Sequence, residues 1–383
     1  GVVISAAQIS IISNEFVPGE NLLFEARSIL LTLTSSLLSP GMGWPVLNNI
    51  TFEGYQFLEV SSYVATGNEG SRGLEVKDVN FNPLSNSSET LLKSTVTGDF
   101  QSTGILFVGT RELPAGITID GKVDLGVGVR FQTQNDGDTA GTSISFNGAV
   151  TIQGSGSEYG IKLEHDINFK GSANIRGYGC SGISINSVST LFLALSTDEL
   201  VSLVGISDHS CLRGGSALIL SNVRVGSRNE SQLSLEGSSL DNPFVTAVIL
   251  ENFQQSFPMT LLSIKGTLYN DTGAVYATSI AGSTFNAQAL DISGHIGANP
   301  LNSVKAVHIS NTIFNSVDTS IEGSVDSGKV DDIGVAMNQC NFIDNDHLLI
   351  LGSGGGGITF DSGNISSYNI TLVGQGDEYS GVI

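Results

Sequence analysis

Cysteine, basic residues and charge in general are scarce in this sequence. The 383 residues include three cysteines, which are too few for a disulfide scaffold and lack zinc-ligand spacing. Charged residues make up 14% of the chain, against roughly 25% in ordinary globular proteins. The 16 basic and 37 acidic residues give a net charge of −21, so the chain repels phosphate backbones and anionic lipid headgroups. We therefore expect no nucleic-acid partner and no electrostatic association with membranes.

Long apolar runs are also missing. No uncharged apolar stretch reaches the roughly 18 residues that a membrane-spanning helix needs, so we expect no membrane insertion by this segment. The most apolar stretch starts at Glu20 and is interrupted by Glu25 and Arg27. Its apolar side chains would share one face of a short amphipathic helix: Leu22, Ala26, Ile29, Leu33 and Leu37. The pattern predicts an N-terminal cap segment over residues 1–45, with a possible short helix.

Glycine, in contrast, is abundant, with 47 residues, and many of them end a recurring phrase. "LSIKGTL" from Leu262 returns as "LSLEGSS", "LDISGHI", "TSIEGSV" and "LLILGSG". The glycines of these phrases are 28 or 29 residues apart: Gly237, Gly266, Gly294, Gly323 and Gly352. Each phrase alternates apolar and polar residues as a half-buried strand does, and then reaches a residue type that tolerates a left-handed corner.

A second series of strand-like phrases lies midway between these glycines and often ends in an aromatic residue. Its third positions keep the same period: Leu220, Ile280, Ile309 and Met337, with "VILENF" from Val248 in the gap. Earlier phrases from Val46 onward repeat the pattern with looser spacing. A period near 29 with two or three strands per turn predicts a solenoid of parallel-stacked coils over residues 46–383. A propeller needs about 40 to 50 residues per blade, and a leucine-rich repeat needs a fixed Asn, so both fit less well.

Stacking in this register predicts one buried ladder of apolar side chains: Leu235, Ile264, Ile292, Ile321 and Ile350. The chain thereby resembles the parallel β-helix superfamily that includes pectate-lyase-like enzymes, autotransporter passengers and phage tailspikes. Within it, "GGSAL", "GGGGI" and "FIDN" are similar to repeats of chlamydial polymorphic outer-membrane proteins. The resemblance implies an all-β, single-stranded, right-handed parallel β-helix with coils of about 23–31 residues and a short N-terminal capping segment.

The polysaccharide-cleaving enzymes of that superfamily imply a catalytic set that is only partly matched. "SGHIG" around His295 and the pair Asp331 and Asp332 resemble polygalacturonase motifs, but the NTD and RIK motifs are missing. The densest polar cluster is "NFIDNDHLLI", which contains Asp344, Asp346 and His347. These residues are able to act as acid and base or hold a metal if they converge on one groove. The competing interpretation, which we favour, is a solvated corner between strands.

Three further polar segments carry a weaker signal. Asn135–Asp138 offers oxygen ligands at alternate positions but lacks the remaining ligands of a calcium loop. Asp208 and His209 fall where other coils place glycine, which favours a corner. The glycines of Gly352–Gly357 lack the Lys-Ser/Thr of a phosphate-binding loop, which favours a tight turn. We therefore predict no catalytic, cofactor-binding or metal-binding residue and no cofactor.

The cysteines and glycosylation sequons remain open. Cys180 and Cys211 are about one coil apart, so they either stack as a disulfide or stay as two buried thiols, whereas Cys340 fits a small core residue. Asn-x-Ser/Thr sequons occur at Asn49, Asn86, Asn229, Asn270, Asn364 and Asn369.

Taken together, these patterns predict an extracellular or cell-surface β-helix protein without enzymatic activity. We expect a structural or adhesive element: an adhesin, a passenger-like domain, or a filament or coat subunit. Its partner would be itself, through the end coils, or host or cell-surface glycans or proteins. The alternatives are a polysaccharide lyase or hydrolase using the acidic set above, and a non-catalytic glycan-binding rod.

Overall fold

The structure, a computed structural model, describes most of the chain. The described residues are 2–13, 21–36, 44–65, 70–98, 101–109, 112–132, 143–186, 190–195, 199–207, 215–227, 231–240, 246–269, 275–297, 303–326, 329 and 331–376, with backbone only at 35, 36, 186 and 240. All regular secondary structure in this part is β, and none is helical. The chain divides into two compact units, Gly1–Tyr178 and Gly179–Ile383, which are described separately below.

The first unit consists of short strands that pair in parallel with the strand one coil later. They form three ladders, β2-β4-β7-β10-β13-β16-β19, β5-β8-β11-β14-β17 and β1-β3-β6-β9, with β12-β15-β18 stacked as a further row. The strands are β1 (Val2–Ser5), β2 (Gln8–Ser13), β3 (Leu22–Glu25), β4 (Ser28–Ser36), β5 (Val46–Asn48), β6 (Ile50–Tyr55), β7 (Phe57–Ala65), β8 (Ser71–Lys77), β9 (Asn80–Pro83), β10 (Glu89–Thr97), β11 (Ser102–Val108), β12 (Glu112–Leu113), β13 (Ile117–Val123), β14 (Gly126–Gln132), β15 (Ile144–Phe146), β16 (Val150–Ser155), β17 (Tyr159–Leu163), β18 (Ile167–Phe169) and β19 (Ala173–Gly179).

The second unit repeats this arrangement, and its last two strands, β35 and β36, continue through all three ladders. The ladders are β22-β25-β28-β31-β34, β20-β23-β26-β29-β32 and β21-β24-β27-β30-β33, each followed by β35 and β36. The strands are β20 (Ser181–Asn186), β21 (Thr190–Leu193), β22 (Leu200–Ser207), β23 (Ser216–Ser221), β24 (Arg224–Ser227), β25 (Gln232–Leu240), β26 (Thr246–Glu251), β27 (Gln254–Gln255), β28 (Met259–Tyr269), β29 (Tyr276–Ala281), β30 (Thr284–Phe285), β31 (Ala287–Ile296), β32 (Lys305–Ser310), β33 (Ile313–Phe314), β34 (Asp318–Val325), β35 (Ile333–Ser353) and β36 (Ile358–Gln375).

The predicted solenoid and its main ladder are confirmed. The structure is a parallel β-solenoid of stacked coils. Register pairs join each predicted member to the next and all are buried: Leu235, Ile264, Ile292, Ile321 and Ile350. The second series pairs in the same way, and the gap in it is filled by Leu250: Leu220, Leu250, Ile280, Ile309 and Met337. Each coil therefore contributes one layer to a continuous apolar core.

The aromatic residue that ends the second series forms a buried stack. Phe253, Phe285, Phe314 and Phe342 lie in successive coils, with ring centroids separated by 5.7, 5.5 and 4.4 Å. Each such pair contributes about 0.5–1.5 kcal/mol beyond the burial of its area. The stack anchors the short ladder of β27, β30 and β33, which has only two residues per strand.

The glycines of the recurring phrase are needed for a different reason from the predicted one. They lie inside strands without a left-handed backbone, so the corner interpretation is wrong for them. A Cβ atom at Gly266 would lie 2.1 Å from the carbonyl oxygen of Ala277, and one at Gly294 would lie 2.2 Å from that of Ala306. β28 and β31, which carry these glycines, therefore approach the backbone of the following strands, β29 and β32, too closely for any side chain at the glycine positions.

Among the non-glycine residues described with a left-handed backbone, asparagine is the most frequent. Asn222, Asn252 and Asn311 have φ of 56°, 51° and 48°, and Gln339 takes the equivalent position in the next coil with 53°. The side-chain amide of Asn252 donates a 3.0 Å hydrogen bond to the Oδ1 atom of Asn222. Asparagine tolerates this backbone better than most residues, and Gly282, with φ of 61°, takes the corner between Asn252 and Asn311.

The predicted N-terminal helix over Leu22–Leu37 is wrong. Residues 22–25 and 28–36 form β3 and β4, and β4 pairs with β7 across its length. Ile29, Leu31 and Leu33 are buried at every second position, which is strand periodicity. Ile29 and Leu33 also satisfy a helical spacing, and pairing with β7 decides in favour of the strand.

A glycine-to-alanine substitution in β28 tests the close approach of this strand to β29. We expect Gly266→Ala to destabilise the protein by roughly 1–3 kcal/mol, because its Cβ atom must displace backbone. Gly297→Ala is the matched control, since its Cβ atom would meet the carbonyl oxygen of Leu268 at an ordinary 3.5 Å. The measurement is the urea midpoint of each variant. Equal midpoints for the two variants would contradict the close crossing.

Candidate functional site

The acidic residues of the predicted catalytic set lie at two separate corners of the second unit. Asp331 and Asp332 follow the end of β34, whereas Asp344 and Asp346 precede Leu348, which pairs with Thr319 near the start of β34. The eight residues of β34 therefore separate the two pairs, which corresponds to about 26 Å along an extended strand. Glycosidases place their two carboxyl groups roughly 5–9.5 Å apart. The fold does not bring these four carboxylates into one groove.

Asp332 has a structural partner. Its side chain is fully buried, and its Oδ1 atom accepts a 3.0 Å hydrogen bond from the backbone N–H of Val304. Burial raises the pKa of this carboxyl, and the hydrogen bond from Val304 opposes that shift. The neighbouring Asp331 is exposed. Asp332 thus holds the start of β35 against the preceding coil.

The corner with Asp344, Asp346 and His347 is solvated. Asp344 has a left-handed backbone with φ of 54°, and all three side chains are exposed. The side-chain amide of Asn369 in the next coil contacts the Nδ1 atom of His347 at 3.1 Å. Between them Asn345 points inward and donates to the Oγ1 atom of Thr319 at 2.8 Å. Across the described residues, no three His, Cys, Asp or Glu side chains are arranged to hold a metal ion.

His295, in contrast, is brought beside two groups of catalytic type. Its Nδ1 atom lies 2.9 Å from the Oγ atom of Ser324, and its Nε2 atom lies 3.7 Å from the Oδ2 atom of Asp326. His295 and Ser324 are register partners in β31 and β34. In the sequence, His295 belongs to an incomplete polygalacturonase-like motif. The signal that identifies Ser324 is the coil period, which places residue 324 beside residue 295.

The cysteines take two different states. Cys180 is disulfide-bonded, while Cys211 lies outside the described residues, so their pairing stays a prediction. Cys340 is a free, fully buried thiol, which confirms it as a small core residue. Burial raises the pKa of Cys340 to about 11, so the thiolate is disfavoured at neutral pH.

The remaining predicted segments are turns or fall outside the description. Gly354 and Gly357 have positive φ within the turn between β35 and β36, which confirms the tight corner. Asn135–Asp138, Asp208, His209, Asn229 and Asn270 lie outside the described residues. Among the sequons, Asn49 occupies a left-handed corner, Asn86 lies in an exposed turn, and two lie in β36: Asn364 and Asn369.

The first unit contains an open polar groove that none of the sequence motifs predicts. Its volume is about 500 Å³, and its lining includes Asn49, Asp78, Asn80, Asn82, Gly109 and Glu112. Asn49 and Asp78 are equivalent left-handed corners, and Gly109 continues this row. A Cβ atom at Gly109 would lie 2.3 Å from the Oδ1 atom of Asp78, so the missing side chain leaves the end of the row open.

Comparisons with protein-family models, with curated proteins and with solved structures give no match. The part of the chain that is described contains no helix with the length and apolarity needed to cross a membrane.

The raised pKa of Asp332 gives a prediction for stability against pH. Because the folded state holds this proton more tightly than the unfolded chain, the contribution of Asp332 to stability falls as pH rises from the ordinary Asp value through the raised pKa. Asp332→Asn keeps an oxygen acceptor for Val304 and stays neutral. We compare the free energies of unfolding of Asp332→Asn and wild type by urea unfolding at about pH 3.5, near the ordinary Asp pKa, and at about pH 7. We expect the variant to become more stable relative to wild type as the pH rises.

Asp331→Asn is the control for the loss of one negative charge at this corner. If the stability of Asp332→Asn relative to wild type stays constant or falls as the pH rises, the pKa of Asp332 is not raised in the folded state.

Proposed function

We propose that this chain is an extracellular or cell-surface structural element that assembles with copies of itself through its last strand, β36. We further propose that the solenoid is a right-handed parallel β-helix of the pectate-lyase-like superfamily. Three parallel ladders and asparagine corners support this assignment. The disulfide at Cys180 supports an oxidising compartment, as do the polar, weakly charged composition and the exposed sequon at Asn86.

The observation that carries the assembly proposal is the uncovered apolar surface of β36. The core ladders continue into this strand, since Leu348 pairs with Ile370 and Ile350 with Leu372. Leu348 and Ile350 are at most 2% exposed, whereas Ile370 and Leu372 are 47% and 39% exposed. Within the described residues β36 pairs with β35 alone, so its other edge offers free backbone donors and acceptors.

A second copy of the chain is the occupant that fits this edge. Every pairing in both units is parallel, so a further parallel strand extends the ladders in the same register. Within the described residues the first unit presents an edge of matching type, because β1 and β2 each pair on one side there and expose Val2, Val3 and Ile12. Pairing of β36 with this edge of another copy is heterologous and repeats indefinitely, which builds a filament.

Two aspartates on the last strand test the proposal. The variant Ile370→Asp/Leu372→Asp places charge on the apolar edge, so assembly should be lost. The control Ile313→Asp alters an apolar side chain of similar exposure, 38%, in β33, which is paired on both sides. Size-exclusion chromatography with light scattering, followed by negative-stain microscopy, should show multimers for wild type and the control and monomers for the double variant.

The assembly proposal fails if wild type stays monomeric at every concentration, or if the double variant assembles as wild type does. Circular dichroism of each variant separates loss of assembly from loss of the fold.

Glycan binding is a second candidate function, supported by the polar groove of the first unit. Amide and carboxylate groups such as those of Asn80, Asn82 and Glu112 match the hydrogen-bonding pattern of sugar hydroxyls. Asn82 already donates 2.8 Å to Glu53, so its amide is oriented. The lyase or hydrolase alternative has weaker support, because its carboxylates are spread over two corners.

A glycan array followed by calorimetry tests this candidate. We expect wild type to bind a glycan saturably without turnover. The variant Asn80→Ala/Asn82→Ala should bind at least about tenfold more weakly, because it loses hydrogen bonds worth about 1 kcal/mol each. Asn174→Ala alters an exposed asparagine of β19 away from the groove lining and should bind as wild type does. If Asn80→Ala/Asn82→Ala binds the glycan as tightly as wild type does, this groove is not the glycan-binding site.

A further inference from the structure

We propose that Ser324 is a nucleophile activated by His295, and that this face of the second unit accepts acyl groups from uncharged carboxylic esters. The proposal goes beyond the structural function. It is carried by the contact between the Oγ atom of Ser324 and the Nδ1 atom of His295, at 2.9 Å, with the Oδ2 atom of Asp326 at 3.7 Å from the Nε2 atom. These are the three residue types of a nucleophile, a base and an orienting acid.

The strand register holds the nucleophile and the base together. His295 and Ser324 are directly paired residues of β31 and β34, and both side chains are partly exposed on the outer face. One residue before each lies a glycine of the buried row, Gly294 or Gly323, which fixes the outward direction of the next position. Asp326 follows directly after β34, and its backbone N–H donates 3.0 Å to the carbonyl oxygen of Ile296. Backbone pairing therefore positions all three groups.

The ring nitrogens take the reverse of their roles in serine proteases, where the serine contacts Nε2 and the acid Nδ1. In the tautomer with its proton on Nε2, His295 directs that proton toward Asp326, and the hydroxyl of Ser324 donates to the free Nδ1 atom. Either nitrogen of a neutral imidazole is able to accept a proton. Asp326 is the positioning residue of the proposal, because its Oδ2 atom lies on the Nε2 side of the ring.

The reaction balances with an ester and water alone. As the Oγ atom of Ser324 bonds to the carbonyl carbon, its proton passes to the Nδ1 atom of His295. The tetrahedral intermediate collapses with cleavage of the ester C–O bond, and His295 returns the proton to the departing alkoxide as an alcohol. Water then attacks the acyl-serine, His295 takes a proton from it, and the carboxylic acid leaves as Ser324 regains its proton.

Local charge and backbone pairing define the substrate class and the rate. Glu322 and Asp291 are exposed near this face, and together with Asp326 they disfavour anionic esters. Ser324 is paired on both sides, with His295 and Ser353, so nearby strand N–H groups are used by the ladder and the oxyanion is left to solvent. Because an oxyanion forms in both half-reactions, we expect both to be slow. Acylation by an activated ester, whose leaving group needs no proton, should be the faster of the two.

Covalent labelling of the whole chain tests the proposal directly. A fluorophosphonate probe should form an Oγ–P bond on Ser324 with release of fluoride, and peptide mass spectrometry should locate the label there. His295→Gln should lower the labelling rate about 100-fold or more, the range that a general base contributes. Asp326→Asn should lower it less, and Asp326→Glu should restore it.

Ser353→Ala is the matched control. Ser353 lies in the same outward row, one coil beyond Ser324, so its removal should leave labelling unchanged. A burst of p-nitrophenol from p-nitrophenyl acetate, equal to the chain concentration and absent in Ser324→Ala, is the second expected result. Labelling of Ser324 no faster than of Ser353, or unchanged by His295→Gln, would overturn the proposal and leave a hydrogen-bonded polar row.

Discussion

Parallel hydrogen bonding between successive coils, in register, is the constraint on which the rest of this structure depends. Once each strand pairs with the equivalent strand of the next coil, every side chain is placed beside its equivalent at about 4.8 Å. Rows of Leu and Ile then fill the core, phenylalanines stack, and asparagines form the corners. A coil that shifted by one residue would turn its whole apolar row outward.

The same constraint explains why glycine recurs with the period of the coil. Gly237, Gly266, Gly294 and Gly323 form one row, and a Cβ atom at each would lie within about 2.0–2.2 Å of a backbone carbonyl oxygen of the following strand. The close crossing lets Val248 and its equivalents reach the core beside the main ladder. Stacking thus imposes not only which residues are apolar but where a side chain is impossible.

Stacking also decides which polar groups meet. Acidic residues at different corners stay apart, as Asp332 and Asp346 do, because a strand lies between them. Residues one coil apart at the same position are brought together whatever their distance in sequence, as His295 and Ser324 are. Polar side chains of this solenoid therefore meet in rows on its outer faces, whereas Ile370 and Leu372 of β36 leave apolar surface exposed.

How far the sequence predicts this molecule follows from the same reasoning. The ladder through Ile264 and Ile292 was predictable, because period and alternation are local signals. The strand at Ile29–Leu33 also fits a helical pattern, because Ile29 and Leu33 satisfy both periods, and only pairing with β7 distinguishes the two structures. The contact of Ser324 with His295 was within reach of the coil period, but the position of Asp326 depends on how the chain leaves β34. The polar groove depends on the missing side chain of Gly109; the coil period places this residue in the corner row of Asn49 and Asp78 but does not indicate a groove there.

The most direct test of the in-register account is the distance between spin labels at Glu236 and Val373, measured by pulsed electron resonance. These outward positions belong to one row, linked through Lys265, Ser293, Glu322 and Leu351. Five coil spacings predict a separation of about 24 Å between the two backbones. A single narrow distribution near that value supports the account. A broad distribution, or one centred beyond about 35 Å, would contradict it, because no parallel stack of these coils in this register reaches that distance.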